Sequence, residues 1–139
     1  CDSDDKNFRP CMDFRTRIVD IHTLKEGDGV SYGLDFIADK KMKIAVIGAG
    51  YADGLFRCLS HGKGSILVHG KKCPIIGRIC MDMFMIDVTG MTISVGDEVI
   101  LIGKNGDLSI DADDIASLTG TISYEILCGI GKRIPRKYV

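Results

Sequence analysis

"IAVIGAGYADG", residues 44–54, joins a β-branched run to Gly48, Gly50 and Gly54, and how it is read decides the fold. A strand running into glycines opens a dinucleotide-binding unit, where the bare backbone approaches a pyrophosphate at a helix N-terminus. That unit needs a helix directly after the glycines and an acidic residue about 20 positions further on. Neither is present. "LFRCLSHGKGS" (55–65) runs into more turn glycines, no Asp or Glu falls between Asp53 and Asp82, and the glycine spacing departs from the standard pattern. A nucleotide-binding oxidoreductase is set aside, and the stretch reads as a strand ending in a tight loop.

Outward from it, short apolar segments recur between glycine turns. "FRTRIVDIHTL" (14–24) alternates apolar and polar residues before the turn "KEGDG", and "MKIAVIG", "GSILVHG", "CPIIGRIC", "MFMIDV" and "GDEVILIG" repeat the scheme. Such spacing predicts a mainly β, barrel-like domain of short, mostly antiparallel strands. One short helix is expected near residues 111–119, capped by Asp111, with Ile115 and Leu118 on one face and Gly120 as its stop. "TISYEIL" (121–127) and the last piece, "KRIPRKYV" (132–139), read as further strand, with Pro135 favouring an edge or irregular ending in the latter.

A length of 139 residues suits one domain, and no linker or repeat divides it. The formal net charge of −1 comes from interspersed acids and bases, which argues against a nucleic-acid partner. No apolar run nears the roughly 18 residues of a membrane span, and "CDSDDKNFRP" is too polar for a signal peptide, so a cytoplasmic chain is expected. It begins at Cys1, which suggests a piece of a longer polypeptide. The six cysteines (1, 11, 58, 73, 80 and 128) form no CxxC pair, and the histidines lack metal-ligand spacing. No metal site is expected, and the thiols read as reduced, several of them as small core residues.

Polar groups cluster at the ends of apolar segments. Tyr32 lies in "GVSYG", Tyr51 and Asp53 in "GYADG", Arg78 and Asp82 at either end of "GRICMD", and Tyr124 beside Glu125 in "GTISYE". Each has a bland alternative: a packed strand tyrosine, a surface tyrosine on a loop, an exposed Arg78–Asp82 ion pair, Met81 as core. Taken together, the ordered set "GVSYG", "GYADG", "GRICMD", "VGDEVILIG", "GTISYEIL" and "KRIPR" resembles the C-terminal domain of alanine racemases, from about Cys11 to the C-terminus.

The resemblance implies a mostly β domain, 11–139, preceded by a crossover segment, 1–10, from an N-terminal barrel domain that carries pyridoxal phosphate. In that family the C-terminal domain packs against the barrel of the other subunit in a head-to-tail homodimer, so each active site is composite. Tyr32 matches the tyrosine that moves the α-proton on one face of the substrate while the cofactor lysine serves the other. A free phenol titrates near 10, so such a base needs cationic neighbours, which the barrel would supply. Met81 matches the position whose backbone N–H holds the substrate carboxylate. Tyr124 matches the tyrosine that reaches the cofactor phosphate of its own chain. Tyr51, Arg57, Arg78, Asp82 and Ile122 match residues of the access corridor, where guanidiniums draw in a carboxylate.

The cofactor-bearing lysine and the phosphate loop have no counterpart here, so the chain alone is expected to be inactive and only weakly self-associating. The implied activity is interconversion of L- and D-alanine for peptidoglycan. The alternatives are a serine-preferring racemase of glycopeptide resistance, which could carry a membrane domain, and a non-catalytic β domain that binds a partner.

Overall fold

The computed structural model describes residues 10–139. Nine strands and two helices follow in order: β1 Phe14–Leu24, β2 Gly29–Val30, β3 Phe36–Ile37, β4 Met42–Ile47, β5 Ser65–Val68, β6 Lys71–Ile76, β7 Phe84–Asp87, β8 Glu98–Asn105, β9 Leu108–Ile110, α1 Ala112–Thr119 and α2 Ser123–Gly129. The larger sheet runs β1-β4-β7-β6-β5-β8-β9, and a β1–β8 pairing joins its ends into a barrel-like ring of antiparallel strands. The mainly β, barrel-like expectation holds.

β1 closes the ring because it serves two neighbours in turn. Phe14–Arg17 pair with β8 and Ile18–Leu24 with β4, and the register slips between Ile18 and Asp20. A bulge of this kind bends a strand and raises its twist, which a closing strand needs. Hairpin chemistry sets the other corners. His69 and Gly70, with φ of 47° and 71°, form the two-residue connection between β5 and β6, where both central residues must take positive φ to match the strand twist.

The ring interior is filled by Ile18, Ile47, Val68, Ile75, Phe84, Ile86 and Val99. A second cluster, Val30, Ala38, Met42, Ile44, Ile76 and Met85, lies where the small β2–β3 hairpin covers the outer face of β4, β6 and β7. Two covered faces explain why "MKIAVI" is nearly continuous in apolar residues rather than alternating. The hairpin is thereby fixed to the ring wall, and the turn between its strands carries Tyr32.

The expected helix forms as α1. Asp111 and Asp114 exchange bonds at its start, each carboxylate accepting the other's backbone N–H, and Gly120 ends it at φ 76°. The second helix corrects the reading of "TISYEIL" as a strand. As a helix the segment satisfies its backbone internally and buries Ile126, with Ile130 four residues on, over the ring mouth. The strand reading of the last eight residues is corrected as well: they form turns and irregular backbone, as Pro135, which has no N–H to give a ladder, favours. The crossover expected for 1–10 lies, up to residue 9, outside the described residues. No described helix is long and apolar enough to cross a membrane.

Candidate active site face

The glycines of the 44–54 stretch are packing devices. A Cβ at Gly50 would lie 2.3 Å from the Met81 carbonyl oxygen and 2.4 Å from that of Cys80, although its φ of −154° suits any residue. The bare backbone lets the 50–54 loop lie directly on the 80–82 loop, where Tyr51 N–H donates to Cys80 O and Ala52 N–H to Met81 O, both at 3.0 Å. At Gly54 (φ 108°), a Cβ would sit 2.7 Å from Gly129 O, at the end of α2. Residues 51–53 form a single 3-10 turn, so no helix follows the glycines and no pyrophosphate cradle exists.

Asp53 ties this junction together. Its buried carboxylate accepts the Gly50 N–H at 2.8 Å through Oδ2 and the Arg133 Nε–H at 2.7 Å through Oδ1. Arg133 also donates through Nη2 to Asp82. These hydrogen bonds, to Asp53 first and then Asp82, hold the guanidinium above its ordinary pKa. The bland alternative, an exposed Arg78–Asp82 ion pair, is not formed. Nor do Arg78 and Asp82 flank a strand: β6 stops at Ile76, Gly77 turns the chain at φ 60°, and both residues lie in the loop before β7.

Arg78 pairs instead with Asp35. Its Nη2–H donates to Asp35 Oδ1 at 3.0 Å, while Nε lies 3.0 Å from Oδ2. His61 Nε2 approaches the same Oδ2 at 3.1 Å. Neither contact to Oδ2 has hydrogen-bond alignment, so this buried oxygen is held by charge. Arg78 N–H donates at 3.0 Å to Ser31 Oγ, one residue before Tyr32.

Tyr32 occupies a single 3-10 turn, Tyr32–Leu34, rather than a packed strand position, and is 75% exposed. Tyr51 and Met81 are also about half exposed. The Met81 carbonyl is taken by Ala52, but its N–H has no acceptor among the described residues. Arg57 and Arg78 face one cleft of about 560 Å³ together with Cys58, Ser60 and His61. Among the described residues Arg57 has no carboxylate partner.

Backbone and side-chain bonds thus join the segments bearing Tyr32, Tyr51, Arg78, Met81 and Asp82. Ile122 and Tyr124 stand apart: Ile122 caps α2 and Tyr124 lies in its first turn, about 8 Å along the axis from Gly129, and both side chains are exposed. A larger, mostly apolar hollow of about 670 Å³ lies between α1, α2 and the ring mouth, and none of these residues lines it. Sequence reasoning missed Asp35, His61 and Arg133, whose partners are 26 to 80 positions away; Arg133 itself lies in a tail without regular structure. No group of three His, Cys, Asp or Glu side chains that could hold a metal ion occurs among the described residues.

Comparison with known proteins agrees with this geometry. Residues 11–138 match the family described as alanine racemase, C-terminal domain. The alanine racemase of Halothermothrix orenii is 49% identical over 133 residues, covering 95% of this chain and 35% of that protein. Among solved structures, alanine racemase from D-cycloserine-producing Streptomyces lavendulae superposes with a TM-score of 0.89 at 38% identity, over 96% of this chain and 35% of that one. Alanine racemase from Bartonella henselae with covalently bound pyridoxal phosphate superposes at 0.84 with 33% identity, over 91% of this chain and 34% of that one. The chain therefore spans about a third of the length of these relatives. With residues 11–138 matched by the family and the fold shared over 96% of the chain, the chain belongs to the alanine racemase C-terminal domain family.

Proposed function

We propose that this chain is the part of a pyridoxal-phosphate-dependent alanine racemase that completes the partner subunit's active site with Tyr32. The observation that carries this reading is the exposed Tyr32 phenol on a turn bonded through Ser31 to the 77–82 loop, in which the Met81 N–H is left without an acceptor among the described residues. An exposed phenol has no packing role, and a free amide donor on a rigid loop suits a carboxylate.

In this reading Tyr32 removes or returns the α-proton on one face of the amino acid, and the Met81 N–H holds its carboxylate. Tyr51, Arg57, Arg78, Asp82 and Ile122 line the access corridor. Arg78 and Asp82 are each paired within the chain, so Arg57 is the guanidinium left to attract an incoming carboxylate. The chain's own donors fit only the margin of the cofactor: Tyr124 offers one exposed phenol to its phosphate, and no cradle surrounds it. When bound, the cofactor supplies the electron sink that makes the α C–H acidic. The 139 residues alone would not racemise alanine, and the working form is a homodimer of the longer polypeptide.

Hybrid dimers test the partner-subunit role. Full-length chains carrying Tyr32→Phe are combined with full-length chains lacking the cofactor-bearing lysine. If Tyr32 serves the partner, each heterodimer regains one working site although both parents are inactive. No recovery in isolated heterodimers would contradict the proposal.

A further inference from the structure

The turn that presents Tyr32 adopts a backbone that L-residues avoid. Ser31, Gly33 and Leu34 have φ of 71°, 75° and 51°, so two non-glycine residues in four lie in the left-handed region. The hairpin beneath contributes only two residue pairs, Gly29↔Ile37 and Val30↔Phe36. A ladder that short does not hold a turn by itself.

Two contacts to one residue hold it instead. Before Tyr32, Ser31 Oγ accepts the Arg78 backbone N–H at 3.0 Å, and the glycine at 77 leaves the room, since a Cβ there would meet Ser31 Oγ at 2.2 Å. After Tyr32, the Asp35 carboxylate accepts a hydrogen bond from the Arg78 guanidinium at Oδ1, and its Oδ2 lies 3.0 Å from Arg78 Nε and 3.1 Å from His61 Nε2. Asp35 is mostly buried and so cannot easily exchange Arg78 for water. Tyr32 sits between two grips on Arg78.

We propose that Asp35, braced by Arg78 and His61, is a positioning residue for Tyr32: the carboxylate locks the strained 31–35 turn so that the phenol is presented in one fixed orientation. This rests on the reading of Tyr32 as the proton-transfer group. It assigns Asp35 no contact with substrate or cofactor. His61 needs no fixed charge in this role, because the Asp35–Arg78 pair alone ties the turn to the 77–82 loop.

The test uses the full-length, cofactor-loaded enzyme with Asp35→Asn, which keeps the size and loses the charge, and Asp35→Ala. The expected result is a fall in kcat of roughly tenfold for Asp35→Asn with KM within about twofold. Asp35→Asn combined with Tyr32→Phe falls no further than Tyr32→Phe alone, because the carboxylate acts through the phenol. A raised KM at unchanged kcat, or an additive loss in the double variant, would overturn the proposal and move Asp35 to the corridor. Hydrogen exchange of peptides spanning residues 30–37 in the same protein gives a readout independent of activity. Leu34 N–H, bonded to Ser31 O at 3.1 Å, is expected to exchange at least tenfold faster in Asp35→Asn, with the ring unchanged. Unchanged exchange would overturn the lock itself. Faster exchange in Asp35→Asn, with no racemisation by the parent enzyme, would instead sink the Tyr32 reading and leave the lock standing.

Discussion

Arg133 Nε donates to Asp53 Oδ1 at 2.7 Å, which ties the irregular C-terminal segment to a carboxylate only 4% exposed in the loop after β4. The other oxygen of that carboxylate caps Gly50 N–H, so one buried side chain both closes its own loop and holds the C-terminal segment to it. Asp53→Ala leaves the Gly50 amide without its acceptor and the Arg133 guanidinium with Asp82 alone, and is expected to cost about 1–3 kcal/mol in urea denaturation. Asp53→Asn, which keeps an acceptor for Gly50, should cost less than the alanine variant. Equal costs would mean that the Gly50 bond contributes nothing.

Gly50 and Gly62 separate close approach from backbone strain. Gly50→Ala drives a methyl into two main-chain carbonyls that cannot rotate away, and should cost about 3 kcal/mol. Gly62 has φ 77° with nothing within 4 Å of its missing Cβ, so Gly62→Ala should cost only about 1 kcal/mol. If the two denaturation midpoints shift alike, the account of the 50–54 loop as a packing device is wrong.

Burial, with a smaller contribution from the Asp87 charge, pushes the Cys73 thiol up from 9.0 to about 11. Native alkylation at pH 8 followed by peptide mapping should label the exposed Cys11, Cys58 and Cys128 and spare the buried Cys73 and Cys80. The raised value means that the folded state keeps a proton the unfolded chain gives up. The stability this adds is complete below pH 9 and is lost as pH rises towards 11, a change of roughly 2–3 kcal/mol. Cys73→Ala should flatten that part of the stability profile relative to the parent, and parallel profiles would refute the assignment.

Tyr32 is 75% exposed and belongs to no core cluster among the described residues, so Tyr32→Phe should change the unfolding free energy by less than about 0.5 kcal/mol. A larger loss would assign Tyr32 a structural role.

The ring was legible because its signals are local. Alternation in "FRTRIVDIHTL", apolar runs in β4 and β8, and glycine at each corner agree on one architecture. "TISYEIL" misled because its apolar residues fit both a period of 2 and a period near 4; only Ile126 with Ile130, which lies past the segment, breaks the tie in favour of a helix. The loop containing Arg78 read as strand because "RIC" continues the apolar run of β6, whereas the positive φ at Gly77 ends it. The partners of Arg78 and Asp82 were not legible at all. Arg78 meets Asp35 43 positions earlier and Asp82 meets Arg133 51 positions later, and no local pattern encodes a pairing made by ring closure.

The most direct measurement is racemisation of alanine and serine, side by side, by the full-length polypeptide with pyridoxal phosphate, with Tyr32→Phe as the paired variant. The account predicts turnover that prefers alanine and falls at least about 100-fold in the variant while its denaturation midpoint stays in place. Full activity in Tyr32→Phe, or no turnover of either amino acid with cofactor bound, would contradict it, and a preference for serine would reassign the substrate.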